Sequence, residues 1–382
     1  MVNTDLLQKA HILTGMLLWG TGSSVTMKLQ LDMECIGLDG VPHTFDKPIF
    51  QALVMFAGMS LCFFIDKLVS FYKRQTSETK QYQQLEDSDN IPEEEGNVLY
   101  ILIPTTFDLI ASTVMTFGLI FTPASIFQML RGAMIIFSTI LSRIFIGKKI
   151  RYSQLNGVII ACCAVVMVGA AAIGTPQTGL NETSGWQTFM GICLILIAQF
   201  IQACQLVAEE FFMKKVNIPP MRIVAFEGIF GFLETVMIAV PFAYFMPGTD
   251  YSSMKHNSLE NTIDSFICVF SNWQMIVIMI VFAVSVFGLN VYGMQVTSHF
   301  SSIFRTIMES MRTACVWITM LIIEACWPGH GEGLSWWSIL ELVGFVTLFT
   351  ATLIYNRVFQ FPCFVEKDLQ MDEEEEQRRK RE

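Results

Sequence analysis

Charge is what this sequence has least of. Only 15% of its 382 residues are Asp, Glu, Lys or Arg, and 53% are hydrophobic. Soluble domains carry about 25% charged residues, so a water-facing globular class is excluded. The net charge of −10 comes mainly from two acidic runs and names no partner. Histidine is also scarce. The five, His11, His43, His256, His299 and His330, are scattered and include no i, i+4 metal pair. No phosphate-binding glycine loop, Cys-x-x-Cys pair or nucleophile elbow is present, so an enzyme, a cofactor and a nucleic-acid partner are not expected. The ten cysteines fall short of a disulfide scaffold. Most lie in apolar runs (Cys62, Cys162, Cys163, Cys193, Cys204, Cys315), where they read as small packing residues. A cleavable signal peptide is not expected, because the first apolar run begins near Gln8 and is long enough to span a bilayer.

What is there is a series of apolar segments. Ten are expected, near residues 8–28, 48–72, 98–120, 123–146, 152–173, 187–212, 222–246, 272–297, 300–325 and 335–356. At 1.5 Å rise per residue each reaches roughly 30 Å, the thickness of a bilayer core. Alternating short strands of a barrel are missing, and only helices otherwise satisfy a backbone in hydrocarbon. With the N-terminus in the cytosol, sixteen Lys and Arg fall on the cytosolic side and three, Lys28, Lys47 and Lys255, on the other. The positive-inside rule therefore predicts two cytosolic termini.

The loop at 73–97 is polar with an acidic patch from Glu86 to Glu95, and reads as solvated chain. Within it Tyr82-Gln83-Gln84-Leu85 resembles an endolysosomal sorting signal, and Arg379-Lys380-Arg381-Glu382 weakly resembles a retrieval signal. Asn181-Glu182-Thr183 is a glycosylation acceptor on the expected lumenal side. Cys35 and Cys268 share that side, where a bridge and two free thiols are both open.

Residues 125–157 organise the rest. An apolar run starting at Ser125 carries Arg131 in its first half and stops at the basic clamp Lys148-Lys149-Ile150-Arg151. An arginine in hydrocarbon costs several kcal/mol, so Arg131 is expected to face protein or water. A second segment repeats the pattern. Ser125-Ile126-Phe127 and Ser302-Ile303-Phe304 each follow a short hairpin, and each precedes an arginine, Arg131 or Arg312. The ordered match predicts a duplicated five-helix unit. Five is odd, so the second copy inserts upside down, and inverted repeats place a site near the midplane.

These residues carry a family resemblance. The ten-helix plan resembles the EamA-like drug/metabolite transporter superfamily. Phe127-Gln128-Met129-Leu130-Arg131-Gly132, Glu209-Glu210-Phe211, Glu227-Gly228-Ile229-Phe230-Gly231, Ser310-Met311-Arg312-Thr313 and the stretch from His43-Thr44-Phe45 to Gln51-Ala52 resemble the F-subfamily members of solute carrier family 35. A looser similarity extends to chloroquine-resistance-type vacuolar transporters. Lys148-Lys149 departs from the superfamily, where an acidic residue commonly follows the glycine. No sugar-nucleotide signature is present. The resemblance implies a secondary transporter in an endomembrane, lysosome/vacuole or Golgi, and is compatible with a homodimer.

The expected fold is thus all-α membrane, with ten transmembrane helices in two inverted five-helix repeats, 1–173 and 174–356, and a charged tail at 357–382. Asp108, Arg131, Glu227, Glu234, Arg305, Glu309 and Arg312 lie at membrane depth, with Glu341 further out. Arg305, Glu309 and Arg312 fall at i, i+4, i+7 on one helix face. The candidate substrate-binding set is Asp108, Gln128, Arg131, Glu227, Asn290, Glu309 and Arg312. The two arginines would clamp a small polar or anionic solute, and a buried carboxylate would carry a coupling proton. The alternative is that Glu309 merely neutralises Arg312 and Asp108 neutralises Arg131. Thr21-Gly22-Ser23-Ser24 makes the first helix locally small and polar, and Gly157 with Ala161 gives a small-residue packing pair. A function from another class, a non-transporting membrane scaffold that binds a protein partner, also fits the helix count.

Overall fold

Long apolar runs with no water to bond their backbone have one open-ended solution, the helix, and the long apolar runs among the described residues take it. The computed structural model describes residues 4–65, 67–68, 98–146, 150–174, 184–216, 220–251, 257–300, 302–328 and 331–359. The Lys148-Lys149 clamp, the sorting and retrieval tetrapeptides, the acidic loop patch and Asn181 lie outside the described residues, as do the side chains of Glu209 and Glu210.

The elements in order are α1 (Thr4–Asp32), the hairpin β1 (Glu34–Ile36) and β2 (Pro42–Thr44), α2 (Pro48–Ser60), α3 (Leu102–Ile120), α4 (Ala124–Leu130) and α5 (Met134–Leu141). Then come α6 (Tyr152–Gly174), α7 (Gly185–Val216), α8 (Pro220–Glu234), α9 (Val240–Phe245), β3 (Pro247–Asp250), α10 (Thr262–Ser271), α11 (Trp273–His299), α12 (Ser302–Cys326) and α13 (Trp337–Tyr355). Among the described residues nine helices are long and apolar enough to cross a membrane. They run Pro48–Ile65, Leu99–Ile120, Ala124–Phe145, Tyr152–Gly174, Gly185–Ala208, Met221–Phe245, Trp273–Val296, Phe304–Cys326 and Trp337–Tyr355. The chain is an all-α membrane protein. The 29-residue α1 is long enough but is not one of the nine. It is diluted by Lys9, Lys28, Asp32 and the polar run at Thr21 to Ser24.

Two helices are interrupted. A 3₁₀ turn at Arg131–Ala133 separates α4 from α5, so Arg131 sits where the helical ladder changes pitch. A π-helical turn at Thr235–Ala239 joins α8 to α9. Pro241, in the first turn of α9, offers no N–H to the preceding turn, a recognised cause of local unwinding.

Packing is dominated by a few helix pairs. α13 lies along α6, α3 along α7, α1 along α11, and α8 along α2; α1 also meets α12, α5 meets α7, and α4 meets α12. The largest apolar cluster, including Leu119, Phe127, Leu130, Ala164, Val168, Ile195 and Leu348, joins α3, α4, α6, α7 and α13. Gly157 does what its spacing predicts: a Cβ there would lie 2.8–2.9 Å from the Cβ, Cα and N of Tyr355, so α6 and α13 approach backbone to backbone. Gly228 is tighter, because its Cβ would fall 2.4 Å from the Ser60 amide nitrogen on α2.

The face that carries the hairpin is held by a clasp. β1 and β2 pair antiparallel, with Cys35 opposite His43. Cys35 is bridged to Cys268 on α10, with Cα atoms 5.1 Å apart, so of the two open readings the disulfide holds. Lys47, 1% exposed, is ion-paired to Asp250 and, at 2.7 Å, to Asp264. Glu260 accepts the Ile49 and Phe50 amides at 2.8 and 2.7 Å, capping the start of α2. Burial pushes its carboxyl up to about 7 despite those bonds. Glu332 likewise accepts the Ser125 amide at 3.0 Å at the start of α4, and burial raises it too. Burial would also raise Asp264, but Lys47 and the Leu38 amide outweigh it and hold that carboxyl below the usual range. Lys28 reaches the Leu119 carbonyl and pairs with Asp32, each at 3.2 Å.

Candidate functional site

A buried polar group is built from three helices. On α12, Arg312 is 4% exposed and its Nη2 lies 2.8 Å from Glu309 Oε2. The same Nη2 donates to Gln128 Oε1 on α4 at 3.4 Å. Gln128 in turn donates from Nε2 to Ser24 Oγ on α1 at 2.7 Å, and Ser24 donates to the Gly20 carbonyl. A Cβ at Gly20 would lie 2.5 Å from Arg312 Cδ, so the missing side chain makes room for the arginine stem. The small, polar stretch of α1 is therefore the bed on which Arg312 lies.

Arg312 is not saturated. Among the described residues its buried Nε has no hydrogen-bond partner. A charged N–H left unpaired in a buried site costs more than a neutral one, and a bound acceptor removes that cost. Glu309 does not close the group off either, since its side chain is 33% exposed.

Arg131 sits at the 3₁₀ turn next to this group and feels the charges of Arg312, Glu309 and Asp108. Asp108 is buried on α3 at 7% exposure. Five of the seven expected residues, Asp108, Gln128, Arg131, Glu309 and Arg312, thus share one electrostatic neighbourhood. The other two are less directly placed there. Glu227 is buried on α8, which packs on α2. Asn290 turns its amide onto the Val286 carbonyl of its own helix at 2.9 Å. Of the remaining ionisable residues at membrane depth, Glu234 accepts from Thr106 at 2.8 Å, and Arg305 touches Met294 Sδ at 3.6 Å. The Glu309–Arg312 pair weighed from spacing is present.

Sequence reasoning missed Ser24 as a site residue. The signal was there in Gly20, Gly22 and Ser24, two gaps and a hydroxyl within little more than one helical turn.

Residues 11–170 match the EamA-like transporter family. Solute carrier family 35 member F6 of Homo sapiens is 31% identical over 343 residues, 89% of this chain and 86% of that protein. The chain belongs to solute carrier family 35. The Pongo abelii member F6 is similar to the same extent, 31% over 343 residues with the same coverage. An uncharacterized protein of Schizosaccharomyces pombe is 27% identical over 314 residues, covering 82% of this chain and 88% of its own. As a solute carrier of the drug/metabolite type, the chain is a multi-pass membrane transporter, and the Arg312 group is its candidate solute site.

Proposed function

We propose that this solute carrier moves a small anionic or polar solute by alternating access around Arg312 and Arg131. The observation that carries the reading is the buried Arg312 guanidinium, paired on one edge with Glu309 and Gln128 and, among the described residues, unpartnered at Nε. A carboxylate or phosphate oxygen satisfies that donor in a geometry arginine favours.

The reading includes ten spans, with α1 as the first, in two inverted five-helix repeats, 1–173 and 174–356. Helix pairing supports it. With α4–α5 counted as one span and α8–α9 as another, adding five to each span number carries the α3–α7 pair onto α11–α1. It carries α5–α7 onto α12–α1, and leaves α2–α8, α4–α12 and α6–α13 unchanged. Inverted repeats produce that pattern and put the site where the copies meet. Both termini lie in the cytosol on this reading, with the hairpin face lumenal and the membrane an endomembrane of lysosome/vacuole or Golgi. Asp108, Glu227 and Glu309 set selectivity or carry a coupling proton.

Counterflow in proteoliposomes tests the proposal. A panel of small anions is screened by thermal shift, since a ligand stabilises the state it binds. The best binder is then followed as flux. Arg131→Ala is expected to abolish flux while still reaching its membrane. Unchanged flux in that variant overturns the role of Arg131, and no counterflow of any solute by the wild type favours the scaffold function.

A further inference from the structure

His43 stands over the Cys35–Cys268 bridge in an orientation that packing alone does not require. Its Nδ1 lies 3.1 Å from the Val41 carbonyl. A carbonyl only accepts, so Nδ1 donates to it, and Nε2 is the ring nitrogen left to bind a metal. Nε2 faces Cys268 Sγ at 3.6 Å, Cys35 Sγ at 4.0 Å and Asp264 Oδ2 at 3.4 Å. Metal-binding histidines are held in this way, with the far nitrogen tied to a carbonyl and the near one aimed at the other ligands. Asp264 is fixed by the Leu38 amide at 2.6 Å and by Lys47. Gly37 leaves the space: a Cβ there would lie 2.2 Å from Asp264 Oδ1 and 2.7 Å from His43 Cε1.

Distances and charge agree with a metal. In a tetrahedral zinc site, bond lengths of about 2.0–2.3 Å put ligand atoms about 3.3–3.8 Å apart. Cys35, His43 and Cys268 already lie within 4.8 Å of one another and the His43–Cys268 separation falls in that range, so mainly the two sulfurs have to part. Asp250 and Asp264 outnumber Lys47, and Glu260 stands close by, so two thiolates would meet a negative field that a dication relieves. Cys35 and Cys268 are 3% and 0% exposed, while the His43 side chain, at 30%, opens the group to solvent.

We propose that, with the disulfide reduced, Cys35, Cys268 and His43 Nε2 form the three protein ligands of a tetrahedral Zn²⁺ site, with water in the fourth position. A dithiol or phosphine reductant supplies two electrons and is itself oxidised, and the two sulfurs take up two protons. Zinc then displaces both thiol protons and binds the thiolates. Bridge and metal are alternative staples between β1 and α10, across 233 residues of sequence. The clasp thus survives in a reducing environment.

Cobalt, a spectroscopic stand-in for zinc, tests this on the purified full chain kept in a phosphine reductant. Reduced wild type is expected to take up one Co²⁺ with thiolate-to-metal charge-transfer and tetrahedral visible bands, and Zn²⁺ is expected to erase them. His43→Gln should weaken the affinity at least tenfold while the oxidised variant unfolds at the wild-type temperature. The Cys35→Ser/Cys268→Ser double variant, which keeps every other thiol, should lose the bands. Zinc should raise the Tm of reduced but not of oxidised wild type. Absence of the bands in reduced wild type, or their persistence in the double variant or at equal affinity in His43→Gln, overturns the proposal.

Discussion

Arg312 and Gln128 meet across α12 and α4, with Nη2 3.4 Å from Oε1, and Gln128 passes the contact on to Ser24 of α1. One amide therefore links the helices that close round the proposed site. Gln128→Leu keeps the volume and removes both bonds. It is expected to cost about 1–3 kcal/mol of stability, the usual value for a buried hydrogen bond left half-made. Because the amide orients Arg312 without neutralising it, the variant should raise KM for an anionic solute more than it lowers kcat. Initial-rate flux in proteoliposomes checks this, and an unchanged KM argues against an orienting role.

Lys47 is the cation of the hairpin-face clasp. Lys47→Met leaves Asp250 and Asp264 without their ammonium partner in a site where Asp264 is 1% exposed. Removing one partner of a buried pair typically costs about 3–5 kcal/mol. The expected result is a large fall in the thermal unfolding midpoint, with partial recovery in Lys47→Met/Asp264→Asn. A shift within error of wild type contradicts the assignment of Lys47 as the organising charge.

Glu260 gives the clasp a pH dependence of definite sign. Its folded pKa, about 7, lies above the ordinary 4.5, so between those values the folded chain binds more protons than the unfolded. Stability then falls as pH rises through the window, by at most about 3 kcal/mol from this residue. Asp46 and Glu332, both raised by burial, act in the same direction. Asp264, held below its ordinary value, acts oppositely and only in more acidic solution. Thermal unfolding from pH 5 to 8 should show a declining midpoint that flattens in Glu260→Gln. A midpoint that rises across this range, or an unflattened slope in the variant, refutes the prediction.

Much of this was legible in the sequence because a bilayer leaves the backbone few choices. Apolar run length anticipated the nine long apolar helices among the described residues, and the recurrence of Ser-Ile-Phe with an arginine pointed to Arg131 and Arg312. What stayed hidden depends on three-dimensional partners. Lys28 and Lys47 read only as charges on the non-cytosolic side, yet both are buried: Lys28 pairs with Asp32 one turn further along α1, and Asp250 and Asp264 come from the far half of the sequence to pair with Lys47. The amphipathic α10 lies between two spans where only a connecting loop was expected. The pitch change at Arg131 leaves no local mark, since Arg131-Gly132-Ala133 has no proline to announce it. Ser24 stayed open between packing and function until Gln128 reached it.

The central claim is that one buried site opens to each side of the membrane in turn, and a cysteine at position 24 tests it most directly. Ser24 is 5% exposed and bonded to Gln128, so it reports on the site itself. In a chain whose free cysteines are otherwise serines, a membrane-impermeant thiol reagent is applied to oriented proteoliposomes from one side and then, separately, from the other. The account predicts labelling of Ser24→Cys from both sides, slowed in each case by a transported anion. Labelling from one side only, or from neither, contradicts it.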